Sequence, residues 1–556
     1  MATSTLSIAD VDAGPAARAS WMPMLVIAMA QIMMVFNVST LQVSIDAIAS
    51  TFNLSATAIG TAIVTYALVV AAFILLGARV AQIYGSRRVF RATVLLFGVA
   101  MALMSLSLGR LTMLGAQVAA GTAAAALVPS LVALIAANYR GEQQAKALGW
   151  LGGAQAIGIV LAFLVAGALA AWPGWRFTFG LLALLALAIY KLGDRLNDVE
   201  GDGAVPIDWF GVVLTAAAVV LISVGANNLT DWGMLLARPG APFSVLDMSP
   251  APLMVVAGVF LGQGFVWWSR LRESRGKRPL AALEVIESSG ERAALFAIFI
   301  ISALASAITF LIPLYVQVVQ GRSSIDTALA IIPFSLASFA AAVLVVRLFN
   351  RLGPRTTARY AFLLVALGVA FLGAVIRNDW SDAAVIAGML VIGFGEGALI
   401  TLLFNVLVTA APKELAGDVG SLRGVTNNLA TGVGTAVAGA LVVALLGTSV
   451  HRELVHNELI PAELKAEVNL DSPAFVSNDQ LRGVLAQTSA ADDAVEEAVR
   501  INTELRLVAL KVTFFTLAAA ALLAFFPAGA LPAGVAPPLP PGAVRPREAQ
   551  PERPAV

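Results

Sequence analysis

Residues Gly77–Arg91 read GARVAQIYGSRRVFR, a short basic stretch between two apolar runs that are each long enough to span a membrane. We predict a polar loop here, with Gly85 at its turn, because glycine tolerates the backbone conformations that tight turns need. The stretch brings together four basic side chains, Arg79, Arg87, Arg88 and Arg91. Basic residues beside membrane spans favour the cytoplasmic face, so the stretch also predicts how the chain is oriented.

A partial repeat of this stretch lies far downstream, in Val346–Arg355 (VRLFNRLGPR). The residues that share the spacing of Arg79, Gln82, Gly85 and Arg87 are Arg347, Asn350, Gly353 and Arg355. A duplication of this kind predicts two structurally similar halves, each with one basic loop between two helices.

The composition indicates a membrane protein. Of the 556 residues, 59% are hydrophobic and only 12% are charged, which is too few charges to cover a soluble protein of this length. The net charge of +1 gives no reason to expect nucleic acid as a partner. Cysteine is absent, which excludes disulfides and cysteine metal sites, and we expect neither a cofactor nor a metal.

Apolar runs of spanning length occur fourteen times, and we predict a transmembrane helix at each. They lie near residues 22–47, 56–78, 89–108, 111–137, 146–171, 174–193, 206–228, 249–269, 289–318, 326–346, 357–376, 382–410, 421–447 and 505–527. Lysine and arginine concentrate in alternate short loops, which predicts that both termini are cytoplasmic. The excess of arginine over lysine and the abundant alanine and glycine suggest a GC-rich bacterium, and therefore a bacterial inner membrane.

The repeat divides the chain into predicted domains. These are a cytoplasmic N-terminal segment (1–21), an N-terminal six-helix bundle (22–195), a two-helix insertion with a cytoplasmic linker (196–288), a C-terminal six-helix bundle with an acidic external loop (289–528, loop 451–504), and a disordered proline-rich tail (529–556).

Few groups in the predicted spans can carry chemistry. The chain has neither an HExxH motif nor a phosphate-binding glycine loop, so we predict that it is not an enzyme. Glu396, in VIGFGEGALITLLFN, falls close to the bilayer midplane, where an ionisable group is costly and therefore suggests a function. If the protein moves a solute against a gradient, Glu396 is the candidate that couples this movement to protons; the alternative is a hydrogen-bonded glutamate that serves packing alone.

Uncharged polar residues at depth are candidates for a substrate cavity, although each can instead hold helices together by hydrogen bonds. The candidates are Gln31, Asn37, Gln117, Gln155, Asn405 and Asn427.

From about Trp21 to Ala528 the chain resembles the major facilitator superfamily, and specifically its fourteen-span drug:proton antiporter branch. The similar segments are VTYALVVAAFILLGARVAQIYGSRRVF, PGWRFTF, PLYVQVVQG and AGDVGSLRGVTNNLATGVGTAVAGAL. The resemblance implies an all-α polytopic membrane protein of the major facilitator fold, with two six-helix bundles and a two-helix insertion. It also implies a role in the cytoplasmic loops and in gating for Arg79, Gln82, Gly85, Arg87, Arg88, Arg347, Gly353 and Arg355.

The chain departs from the family pattern at Gln82 (for an aspartate), Asn37 (for an aspartate), Gln117 (for an arginine) and Ala162–Phe163 (for Gly-Pro). The family aspartate of the basic loop helps to hold the halves closed on the cytoplasmic side, so we expect a weaker latch with Gln82. Because asparagine cannot carry a proton, either Glu396 has taken over the coupling, or the protein is uncoupled, exchanges solutes or is driven differently.

The resemblance and the residues together predict a membrane transporter of small, hydrophobic or amphipathic molecules that works by alternating access, as an exporter and with proton antiport. The expected partners are a small-molecule substrate, protons and the lipid bilayer. An uncoupled facilitator or lipid translocator is one alternative. A non-transporting membrane receptor or scaffold is another.

Overall fold

The computed structural model describes residues 20–54, 56–139, 141–197, 201–203, 205–286, 288–378, 382–410, 416–456, 478–485 and 492–533. The predicted N-terminal segment, most of the C-terminal tail and part of the external loop lie outside these ranges. Within them the chain is almost entirely helical, and fourteen helices are long and apolar enough to span a membrane. The prediction of an all-α polytopic membrane protein is confirmed.

The helices follow the predicted apolar runs closely. The first half contains α1 (Met22–Val43), α2 (Ile45–Phe52), α3 (Ala56–Tyr84), α4 (Ser86–Ser105), α5 (Arg110–Asn138), α6 (Gly141–Ala171) and α7 (Trp175–Leu192). The insertion contains α8 (Trp209–Asn227), α9 (Leu229–Trp232) and α10 (Pro250–Ser274). The second half contains α11 (Ser289–Pro313) with a π-helix (Leu314–Val319), α12 (Ser324–Leu352), α13 (Pro354–Val375), α14 (Asp382–Ala410), α15 (Ala416–His456), α16 (Asn478–Leu485) and α17 (Asp492–Leu523).

The two halves repeat one packing scheme. In the first half α3 packs on α5, α4 on α5 and α7, and α1 on α6. In the second half α12 packs on α14, α13 on α14 and α17, and α11 on α15. Each half therefore joins its second span to its fourth, its third to its fourth and sixth, and its first to its fifth. This correspondence confirms the two similar six-helix bundles predicted from the repeated basic stretch.

The insertion is a helical hairpin that packs against both halves, since α8 contacts α3 and α15. Buried Asp208 holds its two helices together. Its carboxylate accepts the backbone N–H of Gly211 at 3.1 Å, which caps α8, and the indole N–H of Trp268 on α10 at 3.1 Å. Arg272 lies 3.5 Å from the same carboxylate.

The prediction of a loop across Gly77–Arg91 is wrong in its extent. Helix α3 continues through Tyr84, and α4 begins at Ser86, so Gly85 alone separates them. The φ angle of Gly85 is 89°, a value that favours glycine, which is why the chain turns within a single residue. Gly353 has a φ of 75° and separates α12 from α13 in the same way. We call the membrane end that carries these two turns the basic end.

Each basic turn is covered by the chain that follows the last span of its own half. In the first half the N–H of Asp202 donates to the carbonyl of Gln82 at 2.9 Å. In the second half the side chain of Arg355 donates to the carbonyl of Leu531 at 2.9 Å. The duplication thus extends beyond the spans to the segments that close the basic end.

At the opposite end, α15 and α17 extend beyond their apolar runs toward α16. The acidic run near Asp492 forms the first turns of α17, which begins there. Fully buried Arg506 on α17 donates to the carbonyl of Val318 in the π-helix at 3.0 Å and to the amide oxygen of Asn478 on α16 at 2.6 Å. These bonds fix the short helix α16 to the end of the second bundle.

Candidate functional site

Glu396 lies midway along α14 and is 8% exposed, so its carboxyl group is enclosed at the depth that the sequence predicts. The hydroxyl of Ser338 on α12 donates to one of its oxygens. None of the other predicted site residues is bonded to it in the described part of the chain. A carboxyl group at this depth can take up and release a proton, and the serine hydroxyl can rotate to donate or accept in either state.

Close packing of α12 on α14 positions this pair. A Cβ atom on Gly397, next to Glu396, would collide with the carbonyl oxygen of Ser338, and one on Gly393 would collide with that of Phe334. Glycine at both positions lets the helix backbones approach closely enough for the serine hydroxyl to reach the carboxyl group.

We expect Gly397→Ala to destabilise the protein by about 1–3 kcal/mol, as over-packing of a tight core contact usually does. The matched control is Gly152→Ala on α6, where an added Cβ atom meets nothing within 4 Å. Thermal unfolding of the purified variants, monitored by size-exclusion chromatography, measures the difference in stability. Equal stability of the two variants would show that α12 and α14 are not in tight contact.

Asn37 and Gln117 lie together and bond to each other. The amide nitrogen of Asn37 donates to Gln117 at 2.9 Å, and the amide nitrogen of Gln117 donates back at 3.3 Å. Both residues are 0% exposed and join α1 to α5 within the first bundle. This reciprocal pair is the geometry of an interhelical polar contact, and the predicted role of the two residues in a substrate cavity stays a prediction.

The remaining polar candidates are all half-buried. Asn427 on α15 accepts a hydrogen bond from the hydroxyl of Ser302 on α11 at 2.9 Å, and Asn405 has a bonding partner of its own. Gln31 on α1 and Gln155 on α6 form no side-chain hydrogen bond within the described ranges. Of this set, Asn427, Gln31 and Gln155 therefore keep amide groups that a bound molecule can use.

An ion pair joins the two halves at the basic end. Arg79 on α3 lies 3.7 Å from the carboxylate of Asp418, at the start of α15, and is itself only 8% exposed. Arg79 also donates to the side-chain oxygen of Gln82 at 2.7 Å. Gln82 thus holds the arginine within the first half, and the carboxylate that reaches across the interface comes from the second half.

The linker between α10 and α11 contacts both members of this ion pair. Arg79 donates to the carbonyls of Pro279 at 2.9 Å and Leu280 at 3.1 Å, while the N–H of Ala282 donates to Asp418. Leu280 is 2% exposed. The first half, the second half and the linker therefore meet in one enclosed cluster, which we call the basic-end latch.

The halves also meet at the opposite end, without charges. Gln317 in the π-helix donates to the carbonyl of Val43 at the end of α1 at 3.1 Å, and Gln42 donates to the hydroxyl of Thr309 on α11 at 3.4 Å. Contacts therefore join the two halves at both membrane ends.

Among the other predicted gating residues, the described contacts are made within one half. Arg87 contacts Asp194 at 3.5 Å near the end of α7, and Arg88 is exposed. Arg355 and Gly353 contact the segment after α17. The backbone of Arg347 lies in α12, and its side chain is outside the described part of the structure.

Sequence reasoning missed three residues that the structure makes prominent: Ser338, Asp418 and Arg423. Arg423 lies inside the spanning part of α15. The only sequence signal for Asp418 and Arg423 was that each is a charge at the edge of an apolar run.

The family model for the Major Facilitator Superfamily matches residues 27–435. Among curated proteins, a probable actinorhodin transporter of Streptomyces coelicolor is 26% identical over 78% of this chain and 75% of its own length. The multidrug efflux pump LfrA of Mycolicibacterium smegmatis is 25% identical over 78% of this chain and 82% of its own length.

Solved structures share the fold. A bacterial homologue of the human lysosomal transporter Spinster, in an inward-facing and unoccupied conformation, has a TM-score of 0.60 and 14% identity, with 92% of this chain and 97% of that chain covered. A D-xylose–proton symporter has a TM-score of 0.54 and 13% identity, with 76% of this chain and 90% of that chain covered.

Proposed function

The chain belongs to the major facilitator superfamily, and on that premise we propose that it exports small amphipathic molecules from the cytoplasm by alternating access. It is a multi-pass membrane transporter of small molecules. Its relatives include proteins named as a multidrug efflux pump and a multidrug resistance protein, which supports export as the direction of transport.

The proposal rests on one observation: the contacts that join the two halves differ in chemistry between the two membrane ends. The basic-end latch uses an ion pair between the halves, whereas the opposite end uses amide and hydroxyl groups. Opening one set while the other stays closed exposes the interface to one side at a time. A rigid scaffold has no need for two separable closures.

The positive-inside rule supports placing the basic end in the cytoplasm of a bacterial cell, with both termini on that side. The latch then closes the cytoplasmic entrance, and α16 lies outside. Glu396 is enclosed midway between the two closures, which supports it as the group that exchanges a proton for substrate.

A disulfide across the basic end tests alternating access directly. A Cβ atom on Gly420 of α15 would lie 3.8 Å from a methyl group of Val132 on α5, so cysteines at these positions are near enough to be oxidised to a disulfide. The chain contains no native cysteine, so the pair has no competitor. We expect oxidation of Gly420→Cys/Val132→Cys to stop dye export from proteoliposomes and reduction to restore it.

Ethidium, rhodamine 6G and fluorescein are the dyes measured, and each single-cysteine variant under the same oxidant is the control. Export that continues in the cross-linked protein contradicts alternating access. Failure of the wild-type protein to move any of the dyes faster than protein-free vesicles contradicts the export proposal and favours the scaffold.

A further inference from the structure

Arg423 is a cation inside a spanning helix that has no carboxylate partner among the described residues. It lies on α15, within the span Asp418–Val450. Its guanidinium carbon stands 4.2 Å from the ring centroid of Phe404 on α14. None of the ion pairs formed within the described ranges includes it. A charge at this depth is costly unless another group compensates it.

The two buried arginines of the spans, Arg79 and Arg506, show what compensation looks like in this protein. Arg79 binds a carboxylate, an amide oxygen and two carbonyls, and Arg506 binds a carbonyl and an amide oxygen. The ring of Phe404 attracts the charge of Arg423 but takes none of its N–H groups as an acceptor. The planar donor edge of Arg423 is thus available to a ligand.

A second donor lies one helical turn away on the same face of α15. Asn427 follows Arg423 by four residues, a spacing that makes side chains neighbours on a helix. Its amide oxygen accepts from Ser302 at 2.9 Å, so the amide NH₂ group is the part left to bind another molecule. Two donor groups, one of them charged, therefore stand together without an acceptor from the described chain.

The position of these donors is at the junction of the halves. Gly420 and Gly424, on the neighbouring strip of α15, face Val132 and Val128 of α5 in the first half. Arg423 instead faces α14, the helix that carries Glu396. Arg423 is itself half-buried, and its contact with Phe404 directs the guanidinium toward α14.

We propose that Arg423 and Asn427 form an anion subsite that binds the carboxylate of an amphipathic substrate on its way from the basic end to the level of Glu396. The inference rests on the proposed transport function and adds the chemical class of the substrate. The planar guanidinium edge binds a carboxylate with two parallel hydrogen bonds, and Asn427 supplies a third. The contact with Phe404 restrains the guanidinium group, so less conformational freedom is lost on binding.

Equilibrium binding separates this subsite from transport. The purified full-length protein in nanodiscs is titrated with fluorescein, which carries a carboxylate, and with the cation ethidium, both followed by fluorescence anisotropy. We expect Arg423→Gln to weaken fluorescein binding by about 10- to 100-fold, the usual effect of losing hydrogen bonds to a charged group. Arg423→Lys keeps the positive charge but loses the planar pair of N–H donors. Its affinity for fluorescein should therefore lie between those of the wild type and Arg423→Gln.

Ethidium should lose no affinity in Arg423→Gln, because removing a positive charge lessens the repulsion of a cation. Arg275→Gln, which removes an exposed arginine of the linker after α10, is the matched control and should leave both affinities unchanged. Equal loss of both dyes in Arg423→Gln would make Arg423 a packing residue and overturn the subsite. So would fluorescein binding that does not depend on Arg423.

The two proposals can fail separately. Wild-type protein that binds fluorescein through Arg423 but moves no dye keeps the anion subsite and loses the export function. Protein that exports ethidium but does not bind fluorescein keeps the export function and loses the subsite.

Discussion

Arg79→Gln is expected to open the basic end and to raise the labelling rate of a buried cysteine there by about tenfold. Loss of one partner leaves Asp418 enclosed without its counter-charge, and breaking a fully buried pair costs about 3–5 kcal/mol. The side chains of Arg79 and Asp418 keep 9% and 14% exposure, so the effect is smaller here. Each 1.4 kcal/mol or so changes the ratio of open to closed molecules tenfold.

The reporter is Ile74→Cys in the chain that otherwise has no cysteine. Ile74 is 0% exposed and lies against Gly424 across the interface, so a membrane-impermeant maleimide reaches it only when the basic end opens. Phe310→Cys, which replaces a 2%-exposed residue beside Gly60 near the opposite end, reports on the other closure. Its labelling should not rise in Arg79→Gln.

Two further variants make the result specific to the ion pair. Arg275→Gln removes an exposed arginine of the linker after α10 and should leave the labelling rate unchanged. The double variant Arg79→Gln/Asp418→Asn removes both charges, leaves no unpaired carboxylate, and should be closer to wild type than either single variant. Labelling at position 74 that is the same in wild type and Arg79→Gln would mean that the latch does not hold the halves together.

The fold could be predicted from this sequence because the bilayer imposes strong local rules. Span length, the alternation of basic loops and the repeated Arg–Gly spacing are all local patterns, and the paired packing schemes of the two halves agree with them. The predicted loop at Gly77–Arg91 is wrong in its extent because polar residues do not by themselves end a helix. In fact α3 continues through its polar last turns, and only Gly85 interrupts the helical conformation.

The site could be predicted only in part, because its bonds join residues that are distant in the sequence. The resemblance marks Gln82 as a departure from the family pattern, yet nothing local indicates that the carboxylate opposite Arg79 is Asp418. The pairing of Asn37 with Gln117 depends on how α1 and α5 are turned toward each other. Glu396 can be selected as a candidate from the sequence because it is an ionisable residue in a long apolar run. Its hydrogen-bond partner Ser338 carries no such signal.

Glu396→Gln is expected to abolish accumulation of substrate driven by a pH gradient while passive exchange continues. If one proton is exchanged for one substrate molecule, a gradient of one pH unit is worth about 1.4 kcal/mol and supports about a tenfold substrate gradient. Glutamine has nearly the same size and can still bond to Ser338, but it carries no proton. The accumulation ratio in proteoliposomes should therefore fall from about ten to about one.

Glu453→Gln, which replaces an exposed carboxyl group near the end of α15, is the matched control and should keep the full ratio. Ser338→Ala tests the hydroxyl separately: it removes the partner of Glu396 but not the proton carrier, so it should alter the pH at which transport is half-maximal more than the final ratio. Accumulation that persists in Glu396→Gln would remove this residue from the coupling mechanism. Because Asn37 and Gln117 are uncharged and already bonded to each other, a wild-type protein that equilibrates its substrate without accumulating it would then be an uncoupled facilitator.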